Sequence, residues 1–440
     1  MKVLVISMDV VGEGLAFALR CVKAGHAVRM YLSPKANQTI GEGFKGIERV
    51  KNWLTSIQWA DLILPTGNHE FIPALERARK MGATVFGPSV KSTLLEIDRG
   101  AGMQFLQKHG IECPPFMTFK TLKEAEAHVR KTEQRYVFKP MGDADDKSLS
   151  YCSKSPADMI SRLQRWQKLG MKLEGECMLQ EFVDGIEFAV SRWMGSDGFV
   201  GKHNENFERK KLLSGDVGPN CGESGTILKY VDYSKIGDEV LFPLEKDLVS
   251  MGHQGDIDVN CIVDKKGKVW PLEFTCRLGW PAFNIMCALH TEDPAQWMVD
   301  ACNGKDTLKT SSKTAAGVVL AQPDYPYSNL TKKETDGIPI YGVTDENRKY
   351  LSPQSVKVTT MPSMQGEKLS ESPTWTTAGD YLAVVTGTGK TVKQACERAY
   401  GTLKELHVPD GMYRDDIGEA LEEKIPELQK LGFATEFQYS

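Results

Sequence analysis

Several features are missing from this sequence, and each absence narrows its function. No stretch approaches the ~20 consecutive apolar residues that a membrane-spanning helix needs, so no membrane partner is expected. No basic run stands out, and the formal net charge is −4. A chain whose main work is on nucleic acid or an anionic membrane ordinarily presents a positive surface. The ten cysteines include no CxxC pair. Cys21, Cys177, Cys261 and Cys276 lie inside apolar runs and read as reduced core residues, not as disulfide staples. The opening Met1–Ser7 lacks the charged, apolar, small-residue order of a signal peptide, so the expected compartment is the cytoplasm. Internal repeats and low-complexity tracts are absent as well.

What is present is ordinary globular sequence, 41% hydrophobic and 25% charged over 440 residues. At roughly 100–200 residues per domain, that length suggests two to four domains. Strand-like runs at 2–7, 27–32, 61–65 and 84–88 alternate with helical stretches near 13–24 and 70–81. This alternation predicts a parallel sheet covered on both faces, in a first domain at 1–95. A helix is expected at 96–110. A compact group of strands and helices follows at 113–190, with Asp184-Gly185 as a hairpin turn between two β-like runs. The region 96–312 reads as one unit and 313–440 as a further α/β domain.

The most informative stretch is GDIDVNCIVDKKGKVWPLEFTCR, 255–277. A two-residue loop at Lys265-Lys266 places Ile257, Val259, Cys261 and Val263 on one face with Trp270, Leu272, Phe274 and Cys276. Asp256, Asp258 and Asn260 then share the other face with Pro271, Glu273 and Thr275. Asp258 falls directly opposite Glu273, with Cβ atoms ~5 Å apart, where like charges need an offset. A divalent cation would supply it. A solvated polar face, with Arg277 or a lysine as counter-ion, is the alternative. A loop one residue longer breaks this register.

At 215–225 the chain reads GDVGPNCGESG, which resembles the GDxGPNxGGMG motif of the phosphoribosylamine–glycine ligase (glycinamide ribonucleotide synthetase) family of ATP-grasp enzymes. LEIDR at 95–99, QEFVDGIE at 180–187, LEFTCRLGWP at 272–281 and YRDDIG at 413–418 resemble further motifs of that family, in the same order. The resemblance implies an α/β, ATP-grasp fold with an N-terminal Rossmann-like domain, an ATP lid at 113–190 and a C-terminal α/β domain. It implies ATP bound by Arg99, Lys139 and Lys147, with the backbone of Gln180, Glu181, Phe182 and Val183 on adenine and Glu187 on ribose. Mg²⁺, with Mn²⁺ as an alternative, would sit on Glu273, Thr275 and Asp258. Asn220, Gly222 and Arg277 would serve the reacting groups, with Arg277 orienting a carboxylate through paired hydrogen bonds. The implied reaction joins a carboxylate to an amine through an acyl phosphate. Its partners would be a small amino acid and an amine, handled by a monomer or homodimer.

The chain departs from the family in particular places. A glycine-rich phosphate cradle, GSGGREHA, becomes SMDVVGEGLA at 7–16, where Asp9 and Glu13 oppose an anion. GPE becomes PTG at 65–67, and GDPE becomes Gly279-Trp280-Pro281-Ala282. The lid segment KPMGDADDKSL, 139–149, crowds Asp143, Asp145 and Asp146 near the triphosphate. The first three changes predict an altered amine acceptor, and the acidic lid predicts weak ATP binding or a lid ordered only by substrate. The alternatives are an orthodox phosphoribosylamine–glycine ligase of purine synthesis and a catalytically silent nucleotide-binding regulatory protein.

Overall fold

The N-terminal sheet follows from short strands whose central members are largely apolar and must be covered on both faces. Strands Ile47–Arg49, Ala27–Leu32, Lys2–Ser7 and Leu62–Pro65 lie side by side in that order, all parallel. Helix Leu15–Lys23 connects Lys2–Ser7 to Ala27–Leu32, and helix Ile72–Lys80 follows Leu62–Pro65. The strand expected at 84–88 is reduced to a single parallel bridge between Ile63 and Val85. The computed structural model describes residues 1–141, 150–171, 173, 175–330, 332–365 and 368–440.

The single helix expected at 96–110 is two helices, Val90–Ile97 and Arg99–Lys108. Asp98 separates them in an extended conformation, and its carboxylate accepts the Ala101 amide at 3.0 Å. An aspartate that can satisfy an orphan amide is a strong N-cap, so the chain restarts a helix here with Arg99 as its first residue.

Strands Phe116–Phe119, Cys177–Glu181, Tyr136–Pro140 and Tyr151–Cys152 form a small antiparallel sheet. Helices Leu122–Thr132 and Pro156–Lys168 cover it. This unit has its own core, with Val129, Phe138, Leu163 and Trp166 among its members. The hairpin expected at Asp184-Gly185 does not form. Cys177–Glu181 belongs to the small sheet, whereas Gly185–Met194 pairs with Gly255–Asp264 and Phe199–Leu213 in the large one. The dipeptide is a crossover between sheets. Gly185 lies so close to its neighbour that an added Cβ would sit 2.3 Å from the Val263 carbonyl oxygen. Glycine therefore serves strand approach here, not turn geometry.

The large sheet has eight strands, in the order Val269–Thr275, Gly255–Asp264, Gly185–Met194, Phe199–Leu213, Val217–Val231, Thr314–Ala321, Tyr381–Gly389 and Leu351–Pro353. Hydrogen-bonded pairing continues across the boundary expected at 312/313, so the C-terminal region extends the central sheet. A three-stranded sheet of Asp336–Ile340, Lys368–Ala378 and Val356–Gln365 packs beside it. All ten cysteines are free, and Cys21, Cys177, Cys261 and Cys276 are buried as expected.

The core face of this sheet holds a carboxylate, Glu205, that is 2% exposed and accepts the Ser234 hydroxyl at 2.7 Å. Burial, with a smaller contribution from Glu436, pushes its carboxyl up to about 7. A carboxyl raised by folding favours the folded state while protonated, and this contribution is lost as pH rises through the folded value. Glu205→Gln should leave stability nearly unchanged at about pH 5 and raise it at about pH 8. The upper bound is about 3 kcal/mol, since one unit corresponds to 1.36 kcal/mol. Urea unfolding at the two pH values measures the difference.

Candidate active site

The hairpin of 255–277 differs from its expected register in an instructive way. Its turn is one residue longer, with the Asp264 amide bonded to the Lys268 carbonyl at 3.0 Å and the Gly267 amide to the Asp264 carbonyl at 2.9 Å. That change alone would turn Glu273 and Thr275 to the wrong face, because side chains alternate with period two. An irregularity between Asn260 and Cys261 adds a second shift and restores the alternation. The polar residues therefore share a face as expected, but the partners change. Asn260 lies opposite Glu273, and Asp258 lies opposite Thr275. The direct Asp258–Glu273 opposition is not found.

The same face continues over the neighbouring strands. Ala189 pairs with both Asn260 and Asn206, and Ser191 pairs with both Asp258 and Asn204. Asn206, Glu208 and Lys210 alternate along Phe199–Leu213, so they project together. Two cross-strand bonds tie the face. Asn206 donates to Asp258 at 3.1 Å, and Asn260 donates to Glu208 at 3.0 Å.

Two cavities open onto this face. The first, about 420 Å³, is lined by Arg99, Lys139, the 180–183 segment, Glu187, Lys210 and Glu273, with Lys424 from the C-terminal helix Leu421–Lys430. Lys210 is its electrostatic centre. Its ammonium lies 2.9 Å from Glu187, 3.2 Å from Glu273 and 3.5 Å from Glu208. Burial opposes that charge, yet the three carboxylates hold it well above the usual lysine range. Arg99 approaches Glu273 at 3.6 Å. Lys139 is buried, donates to the Leu272 carbonyl at 3.2 Å, and is lowered by burial to about 8. In the 180–183 segment, the Glu181 and Phe182 amides donate to the Pro115 and Arg135 carbonyls. The Gln180 amide nitrogen is buried with no protein partner.

The second cavity, about 710 Å³, is lined by Asp9, Glu13, Asn206, Asp256, Asp258, Glu223, Arg277, Trp280 and Tyr325, among others. Arg277 is held by Glu96 at 3.4 Å and donates to the Leu278 carbonyl at 2.9 Å. Glu96 also accepts the Asn68 side chain at 2.8 Å and the Cys276 amide at 2.7 Å. One carboxylate of the LEIDR motif thus fixes the arginine of LEFTCR against the N-terminal domain. Asn220 lines both cavities and donates to the Ser150 carbonyl at 3.3 Å. Gly222 also lines both, with φ of +77° and open space at its Cβ position. Lys147 lies outside the described residues, as do Asp143, Asp145 and Asp146.

Two distant motifs clasp each other beside these cavities. Arg414 of YRDDIG is 2% exposed, pairs with Asp216 of GDVGPN at 2.7 Å and with Asp416, and donates to the Lys211 carbonyl at 3.0 Å. The Gly215 amide donates to Asp416 at 2.8 Å. The structure therefore assembles Arg99, Lys139, Gln180, Glu181, Phe182, Val183, Glu187 and Glu273 around one cavity, and Asp258, Thr275 and Arg277 around the other. Lys210, Glu208, Glu96 and Asn260 were not singled out from sequence. The alternation of Asn206, Glu208 and Lys210 was the readable signal, masked by the arginine and lysine that follow.

A β-rich domain with an N-terminal parallel sheet, a small antiparallel lid and a polar sheet face between them is the ATP-grasp arrangement. The family model described as "Phosphoribosylglycinamide synthetase, ATP-grasp (A) domain" matches residues 102–282, and the one described as "Phosphoribosylglycinamide synthetase, C domain" matches 315–420. A phosphoribosylamine–glycine ligase of Salmonella typhimurium is 24% identical over 363 residues, 79% of this chain and 80% of that protein. The one of Ralstonia nicotianae is 27% identical over 357 residues, 77% and 79% of the two. Among solved structures, phosphoribosylamine–glycine ligase from Thermotoga maritima superposes with a TM-score of 0.70 at 21% identity, covering 94% of this chain and 100% of that one. An L-amino acid ligase from Bacillus licheniformis gives 0.54 at 16% identity, covering 93% and 98%. The protein is an ATP-grasp ligase of the carboxylate–amine class. It belongs to the phosphoribosylglycinamide synthetase family.

The clasp makes a stability prediction. Removing one partner of a buried ion pair leaves the other uncompensated, at a cost of about 3 kcal/mol. Arg414→Met should lower unfolding stability by about that amount and expose 214–225 to limited proteolysis, read against the unaltered chain.

Proposed function

We propose that this protein forms an amide between an amino acid, glycine or another small one, and an amine acceptor other than phosphoribosylamine. The observation that carries the acceptor change is a convergence. The three segments in which the chain departs from its family's acceptor-side pattern meet at Thr66. The Met8 amide donates to the Thr66 hydroxyl at 3.0 Å, and the Trp280 indole donates to the Thr66 carbonyl at 3.3 Å. Asp9, Glu13 and Trp280 line the cavity beside this junction. Carboxylates and an indole make a poor cradle for a phosphate, whose binding needs amides or cations. Mutually contacting changes are better explained by one altered ligand than by independent drift.

In this reading the 420 Å³ cavity takes ATP. The buried, unpartnered Gln180 nitrogen suits an adenine acceptor atom. With the Glu181 and Phe182 amides already used, further base contacts fall to Val183 and the carbonyls of this segment. Glu187 faces ribose, and Arg99, Lys139 and Lys210 face phosphates, with Lys147 assigned there from its motif position. Divalent metal fits Glu273 together with Thr275 and the Asn260 carbonyl oxygen, which is buried and unpartnered directly across the strand pair. One carboxylate with neutral oxygens is a suitable Mg²⁺ set, and Mn²⁺ would also fit; when bound it stabilises charge on the transferring phosphoryl group. Asp258 shares a row with Thr275, but its carboxylate already accepts the Asn206 amide, so it leaves this metal set.

The chemistry then runs as follows. Arg277, oriented by Glu96, presents the substrate carboxylate, whose oxygen attacks the γ-phosphorus while ADP departs. Asn220 and Gly222 flank the resulting acyl phosphate at the junction of the cavities. The amine nitrogen attacks the acyl carbon, phosphate leaves, and the nitrogen loses its proton. Positioning and charge stabilisation carry most of the rate enhancement.

Phosphate release from Mg-ATP should be stimulated by glycine or another small amino acid only with a non-phosphorylated amine present. Stimulation by glycine with phosphoribosylamine would defeat this reading and restore the orthodox one. The nucleotide side carries its own pH signature. Burial lowers the Lys139 ammonium to about 8, so the free protein loses that charge as pH rises. Because phosphates bind the charged form, Mg-ATP affinity should fall by roughly fivefold between about pH 8 and pH 9. Lys139→Met should weaken binding at neutral pH and flatten that profile in a titration.

A further inference from the structure

Two buried side-chain oxygens lining the 710 Å³ cavity have no hydrogen-bond partner, and the Asp258 carboxylate lines the cavity with them. Asp256 is 2% exposed, and its Oδ1 has no hydrogen-bond partner. Asn206 is also 2% exposed, and its Oδ1 has none either. The Asn206 amide cannot usefully turn over, since its nitrogen is committed to Asp258 Oδ2 at 3.1 Å. Its oxygen is therefore presented as an acceptor. Asp258 is 7% exposed, lines the same cavity, and accepts the Asn206 amide through Oδ2. Ala189 lies between Asn206 and Asn260 in the same row, so only a methyl group occupies the sheet there.

Unpaired buried acceptors cost free energy that a donor would recover. A cation with three N–H bonds suits side-chain oxygens that line one cavity. Trp280 lines the same cavity and offers an aromatic face to positive charge. Arg277 lines it too. Paired positive and negative anchors of this kind suit a zwitterion, with carboxylate toward the guanidinium and ammonium toward the floor. Among the described residues no group of three or more His, Cys, Asp and Glu side chains is arranged to hold a metal ion.

We propose that Asp256, Asp258 and Asn206 form a subsite for the primary ammonium group of a substrate. This rests on the ligase reading above and refines it. The ammonium could belong to the amino acid that supplies the carboxylate or to an acceptor bearing a second amine, and the subsite chemistry is the same for both.

The test uses the full chain with Mg²⁺ and a non-hydrolysable ATP analogue, titrated with glycine, acetate, 1,4-diaminobutane and 1-aminobutane. If the donor's ammonium is held, glycine binds at least about tenfold more tightly than acetate, and Asp256→Asn removes the preference. If the acceptor's second ammonium is held, glycine and acetate bind alike. The diamine then binds at least about tenfold more tightly than the monoamine, and Asp256→Asn removes that difference instead. Absence of both preferences, or their survival in Asp256→Asn, overturns the subsite. Retained stabilisation by Mg-ATP establishes that the variant is folded; should it be lost, Asp258→Asn is read in the same way. Turnover with phosphoribosylamine would defeat the changed-acceptor reading while leaving the glycine–acetate comparison to decide the subsite.

Discussion

Lys210 is the interaction on which the site depends. One ammonium gathers Glu187, Glu208 and Glu273 from three different strands of the large sheet. Three carboxylates on one sheet face would repel each other strongly in a partly desolvated setting. With a cation among them, the same residues can share one face of the sheet. The neighbouring rows meet the same constraint by other means. Asn206 and Asn260 each donate to a carboxylate across the sheet, so a neutral amide does for Asp258 and Glu208 what the lysine does elsewhere.

The polar face is divided by its register. Glu273 and Asn260 occupy one row, while Asp258 and Thr275 occupy the next. Glu273 faces the cavity of Lys139 and Arg99, and Asp258 and Thr275 face that of Arg277 and Trp280. A single irregularity between Asn260 and Cys261 thus decides which carboxylate lies opposite which residue. Asn220 and Gly222, lining both cavities, sit where the two cavities meet. The Arg414 clasp anchors the strand entering that segment to the C-terminal region, which explains why YRDDIG and GDVGPN occur together in one chain.

The acceptor side shows how an inherited scaffold can be altered locally. Thr66 receives hydrogen bonds from Met8 and from Trp280, so three sequence-distant segments change as one surface. Gly12 and Gly14, retained in the first of these, serve packing: added Cβ atoms would lie 2.4 Å from the Gln354 carbonyl oxygen and 2.3 Å from a Val5 methyl group. The nucleotide side, by contrast, keeps its cations and its hinge strand. The chemistry can persist while the acceptor changes, because fold and function are carried by different residues.

By itself, the sequence determined the class of fold, the alternation that puts Asp258, Glu273 and Thr275 on one face, and the burial of its reduced cysteines. These depend on local periodicity and on motifs, both written in neighbouring residues. It also showed where the acceptor side departs from its family. Only the tertiary structure decided that Asp258 faces Thr275 and not Glu273, since a longer turn and an irregularity cancel in side-chain direction but not in pairing. Likewise, only the fold made Asp184-Gly185 a crossover between sheets, drew Glu96 onto Arg277, and set Lys210 among three carboxylates. Such contacts join residues far apart in the chain, and their energies come from shared burial, which no local pattern records.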